Sequence, residues 1–170
     1  MAAATDPHRL FDARALQAAV DARRRAQGLT WSDLARRLGV AASSLRGLDQ
    51  RSALESDTVL QMTRWLGRSV ESFCPDLEGP HDQGPAGDPA STGRVLRRDA
   101  RALHTALEAR RKDLGLTWDE AAAAIWPGGR LNGRTLRQMR KGGRVDLYVL
   151  LASARWLELP VSDFTQLSPV

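Results

Sequence analysis

The sequence predicts an all-α chain made of two tandem five-helix domains joined by a flexible linker, and three observations predict it. The first is an internal repeat. Asp12 to Ala35 reads DARALQAAVDARRRAQGLTWSDLA, Asp99 to Ala122 reads DARALHTALEARRKDLGLTWDEAA, and 14 of these 24 aligned positions are identical. The match then breaks and resumes four residues out of phase: Arg64-Trp65-Leu66 answers Arg155-Trp156-Leu157, and Phe73 answers Phe164. The second is apolar spacing of helical period with no strand pattern. The third is the segment between the copies, CPDLEGPHDQGPAGDPASTG, whose Pro, Gly and Asp read as a flexible tether. The domains are placed at 9–74 and 94–167 with an acidic linker at 75–93, and the second copy carries a four-residue insertion in its turn.

Each element follows from local chemistry. Phe11 to Gln27 sets Leu16, Ala19, Val20 and Ala26 on one stripe, with Arg23, Arg24 and Arg25 complementing the dipole at its end and Gly28 as the stop. Thr30-Trp-Ser-Asp33 reads as a capping box, repeated as Thr117-Trp-Asp-Glu120. A second helix runs to Leu38, Gly39-Val40 turns the chain, and a third helix covers 42–50. A fourth spans 57–66 on Val59, Leu60, Met62 and Trp65, and a short fifth covers 69–73. The second copy is expected to place helices at 97–114, 118–125, 133–141, 147–157 and 161–166.

Composition excludes several classes. No stretch approaches the ~18 uninterrupted apolar residues of a membrane span, and the N-terminus lacks the apolar run of a secretory signal. A lone Cys74 excludes an internal disulfide, and His8, His81 and His104 read as surface or linker residues without metal-ligand spacing. No metal, cofactor or catalytic motif is expected, and a reducing cytoplasm fits. Net charge is +5, split as +3 over residues 1–74, −4 over 75–93 and +6 over 94–170. Two basic copies around an acidic tether favour a polyanionic partner. The near-absence of lysine beside so much arginine and alanine reads as a high-GC bacterial genome.

Two short helices around a glycine turn suggest a helix-turn-helix. Residues 23–73 carry basic residues before Gly28-Leu29-Thr30, the run LARRLGV at 34–40, and the closing WLGRSVESF at 65–73. They resemble the Cro/repressor-type helix-turn-helix family, also called the XRE family. So do RRKDLGLTWDEAA at 110–122 and RTLRQMRKGGRVDLYVLLASARWLELPVSDF at 134–164. The resemblance implies lambda-repressor-like domains whose third helix enters the major groove of double-stranded DNA. It sets Thr30, Trp31, Thr117 and Trp118 at a phosphate-facing corner, though each tryptophan also reads as simple packing over helices 2 and 3. Copy one presents Ser43, Ser44, Arg46, Gln50 and Arg51, with Asp49 opposing phosphate and Ala41 where a cap is expected. Copy two presents Arg134, Thr135, Arg137, Gln138, Arg140, Lys141 and Arg144 behind an Asn132 cap, with Arg130 reaching from the insertion. Arg137 suits guanine, and Gln138 suits adenine.

Two functions are weighed. One is a sequence-specific transcriptional regulator acting as a single-chain pseudo-dimer on unlike half-sites, nucleoid-associated when bound. The other is a protein-interaction module that lends the same fold to another regulator or to a phage or toxin component. Copy one's small third-helix residues motivate it, with tryptophans at 31, 65, 118, 126 and 156 as anchors if exposed, although helical spacing puts Trp65 and Trp156 in the core. A homodimer stays open.

Overall fold

The computed structural model describes residues 10–77, 86–87, 89–128 and 130–169; most of the expected linker, with His8 and His81, lies outside them. In repeat one, α1 (Ala13–Ala26) starts where Asp12 accepts from the Ala15 N–H at 2.8 Å, and Gly28 beyond its end is left-handed at φ 65°. α2 (Trp31–Leu38) begins with both halves of the capping box in place and ends on Gly39, left-handed at φ 67°. α3 (Ala42–Leu45) is followed by a 3-10 turn at Leu48–Gln50, then α4 (Ser56–Leu66) and a 3-10 turn at Val70–Phe73.

Repeat two is preceded by α5 (Pro89–Thr92) and β1 (Arg94–Arg98). It continues through α6 (Ala100–Asp113), α7 (Trp118–Ile125) and α8 (Gly133–Gln138), the last running into a 3-10 turn at Met139–Lys141. α9 (Leu147–Leu157), a 3-10 turn at Val161–Phe164 and β2 (Thr165–Pro169) complete it.

The strands overturn the all-α expectation. β1 and β2 pair antiparallel from Arg94 opposite Pro169 to Arg98 opposite Thr165. The first helix of repeat two therefore starts at Ala100, not at 97, and the helix expected at 161–166 is a 3-10 turn leading into a strand. Neither strand alternates. In β1 the neighbours Val95 and Leu96 are both buried because both faces are covered, which erases the period-2 signal.

Two five-helix beads on a tether are corrected as well, because the repeats share one hydrophobic core. Leu16, Val20, Leu34, Leu60 and Met62 of repeat one belong to the same buried cluster as Leu103, Leu107, Leu136, Tyr148 and Leu151 of repeat two. Across the junction Glu55 forms an antiparallel bridge with Asp146. These two occupy equivalent repeat positions, in step with Arg64 and Arg155, so a local two-fold axis passes between them. The Leu147 N–H donates to the Leu54 carbonyl at 2.8 Å, the Leu54 N–H to Asp146 Oδ2 at 3.0 Å, and the Ser56 hydroxyl to the Val145 carbonyl at 2.7 Å.

β1 belongs to repeat two by sequence but lies along α4 of repeat one. Leu96 turns its N–H and C=O away from β2, and the buried Gln61 amide meets both, accepting from the N–H at 3.3 Å and donating to the carbonyl. Gln61 thus stands in for a third strand. Among the described residues no helix is long and apolar enough to cross a membrane.

Candidate nucleic-acid interface

The fuller surface is in repeat two. Asn132 Oδ1 caps α8 by accepting from the Thr135 N–H at 2.9 Å and its hydroxyl at 3.1 Å. Gly133 lets α8 start hard against α7: a Cβ there would sit 2.6 Å from Asp119 Oδ1 and 2.8 Å from the Trp118 backbone. Leu136 and Met139 turn inward, so the helix keeps one apolar stripe. Arg134, Thr135, Arg137, Gln138, Arg140 and Lys141 are all exposed, and so is Arg144 beyond the Gly142-Gly143 loop. Five cations and two hydrogen-bonding side chains therefore share one solvent face and its edge.

The insertion before α8 is anchored rather than loose. Trp126 is buried edge-on to Tyr148, with ring centroids 6.4 Å apart, and Leu131 is buried at the other end. Trp126 is thus core, not an exposed anchor. Arg130 is exposed, and its Nη1 donates to the Ser52 carbonyl of repeat one at 3.4 Å.

Repeat one departs from expectation. A third helix over 42–50 does not form: α3 stops at Leu45, Arg46 is extended at φ −103° and Gly47 is left-handed at φ 64°. Ala41 offers no side-chain cap, Ser43 and Ser44 are poor helix formers, and the glycine permits the reversal that buries Leu48. Ser43, Arg46, Gln50 and Arg51 are exposed, and Ser44 is half-buried. Arg51 folds back to the Ser43 carbonyl at 2.5 Å, and Gln50 donates to Asp49 at 3.1 Å. The two third-helix surfaces are therefore unlike in shape as well as in sequence.

The corners at Thr30-Trp31 and Thr117-Trp118 are built alike. The Thr30 hydroxyl beside Asp33 holds that carboxyl below its usual range, and the Thr117 N–H does the same for Glu120. Trp31 lies 4.8 Å beneath the Arg24 guanidinium and Trp118 4.9 Å beneath that of Arg111. Each arginine also ties down the turn, Arg24 on the Leu29 carbonyl at 2.5 Å and Arg111 on the Leu116 carbonyl at 2.6 Å. Both indoles are half-buried and packed on the core, each against a side chain of the first helix of its repeat. His104 stacks on Trp118 at 5.1 Å and is buried, against the surface position expected for it. Burial lowers its pKa, with Arg140 adding to the effect and Glu108 opposing it.

Of the other tryptophans, Trp65 is buried beneath Arg23 and Trp156 is half-buried against the core. Burial pushes the Cys74 thiol up to about 12. Among the described residues no group of His, Cys, Asp and Glu could hold a metal ion. Sequence reasoning missed Gln61, Arg98 and the paired Arg24 and Arg111. Only the last pair left a signal, since both sit at the same place in the repeat. No protein-family model, curated protein or solved structure matches the chain.

Proposed function

We propose that the chain is a sequence-specific double-stranded DNA-binding transcriptional regulator that works as a single-chain pseudo-dimer. The observation that carries this reading is the α8 face. Arg134, Arg137 and Gln138 stand exposed on a capped helix whose opposite side is buried, and Arg140 and Lys141 on the 3-10 turn that continues it, with Arg144 just beyond. Arginine forks match guanine O6 and N7, the glutamine amide matches adenine N6 and N7, and the remaining cations meet phosphate. The local two-fold at Glu55 and Asp146 is the arrangement by which dimeric DNA-binding proteins set two reading surfaces on one duplex. Because the two surfaces differ, the half-sites differ too.

The test is affinity near physiological salt for a duplex from the gene's own upstream region against a scrambled duplex. A preference of about 10³ or more, with affinity falling steeply as salt rises, supports the reading. Equal weak binding to both, repeated with duplexes selected from a random pool, refutes it.

A second reading attaches to repeat one. Its broken third helix leaves Ser43 and Ser44 on a single turn with one exposed arginine before the glycine reversal, a surface suited to close protein contact more than to base reading. On that reading repeat two binds DNA and repeat one binds a protein.

A further inference from the structure

The loop that leaves the α8 surface is held at its start by the Gly142 N–H on the Met139 carbonyl at 2.9 Å and beyond its end by the Ser56 hydroxyl on the Val145 carbonyl at 2.7 Å. Gly142 and Gly143 lie at φ 77° and 114°, and a Cβ at either would meet nothing within 4 Å. Between those two points Arg98 grips Gly143. Its Nε and Nη2 both donate to the Gly143 carbonyl, at 2.9 and 2.6 Å. Its Nη1 meets Asp57 at 2.5 Å and Glu55 at 3.2 Å, both on repeat one, and only 12% of its side chain is exposed. Asp57 also accepts from the Arg98 backbone N–H at 2.9 Å. The same carbonyl position in repeat one, Ser52, accepts from Arg130. Each loop beyond a reading surface is thus tied by an arginine at the junction, one tie buried and forked, the other exposed and long.

Resting on the DNA reading above, we infer that Arg98 is a positioning residue that sets the half-site spacing the chain accepts. Asp57, Arg98 and Gly143 form one chain of contacts from repeat one to the loop behind α8, so loss of either link, the charge pair with Asp57 or the fork on Gly143, uncouples that loop from Arg98's hold. One base pair more or less between half-sites moves the second by about 3.4 Å and rotates it by about 35°. With the clamp intact α8 does not follow; without it, it does.

The experiment uses the full chain and duplexes it selects from a random pool, with one base pair then added or removed between the half-sites. The wild type loses about tenfold or more at the altered spacings, while Arg98→Lys stays within about threefold. Lysine keeps a charge for Asp57 but lacks the fork that grips Gly143. Asp57→Asn, which keeps an acceptor for the Arg98 N–H and removes the charge, broadens the spacing in the same way. Both variants hold an isolated α8 half-site within about twofold of wild type, a readout that general unfolding would lower. A spacing preference that both variants retain overturns the inference alone. A wild-type chain that selects no duplex overturns the DNA reading and the inference together.

Discussion

Replacing Gln61 by Leu tests how the repeats are joined. The side chain is 3% exposed, and its amide is the partner of both the N–H and the C=O of Leu96 on the side facing away from β2. Leucine fills nearly the same volume but makes neither bond. Each buried backbone group left unpaired costs about 1–3 kcal/mol, and the added apolar side chain returns about 1 kcal/mol. The net loss over the two groups is about 1–5 kcal/mol, a large share of the stability of an ordinary domain. With a urea slope of about 2 kcal/mol/M, the midpoint falls by about 0.5–2.5 M. The assay is urea unfolding followed both by tryptophan fluorescence and by far-ultraviolet circular dichroism. Because the core is continuous across the repeats, the two signals should coincide in the wild type and move together in the variant. A midpoint shift below about 0.3 M, or a wild type that unfolds in two separate steps, refutes the reasoning.

Other expectations concern single side chains. Arg137→Ala should cost about 1–3 kcal/mol on a selected duplex and relax preference at one base pair, whereas Lys141→Ala should weaken all duplexes alike and flatten the salt slope by about one unit. Equal losses on specific and random DNA for Arg137→Ala would end its base-reading role. Burial lowers the His104 pKa, so the fold favours the neutral ring. Its contribution to stability is therefore complete above the unfolded value near 6.5 and is lost as pH falls through the folded value. Melting temperature should drop between pH 7.5 and 5, and His104→Gln should remove part of that slope; an unchanged slope counts against a buried neutral ring. Cys74, buried with its thiol pushed up to about 12, should resist alkylation in the native chain at pH 8 and react once urea unfolds it.

Helices written by local chemistry were legible. Both capping boxes form at Thr30 and Thr117, the left-handed glycine at 39 ends α2, and α9 occupies the residues its apolar spacing marks. What was hidden depended on the other repeat. β1 is a strand because Gln61, 35 residues earlier, satisfies its inner edge, and nothing within Arg94-Val-Leu-Arg-Arg announces that. The break of the third helix at Arg46 was half legible. Gly47 and the uncapped Ala41 stood in plain view, but the burial of Leu48 that rewards the reversal is tertiary. For the candidate interface, the exposed row on α8 could be read from helical spacing. The fork from Arg98 to Gly143 could not, since it depends on where repeat one places Asp57.

The bridge between Glu55 and Asp146 joins equivalent positions inside one molecule. In a pair of identical chains, every substitution at such a contact happens twice, and the contact comes apart on dilution. Here the halves stay matched at any copy number, and a change on one side leaves the other untouched. Glutamate and aspartate face each other here, where a pair of identical chains would present the same residue twice. The covalent link thus leaves the halves free to differ, one presenting a six-residue cationic helix and the other a single turn at the same place in the repeat.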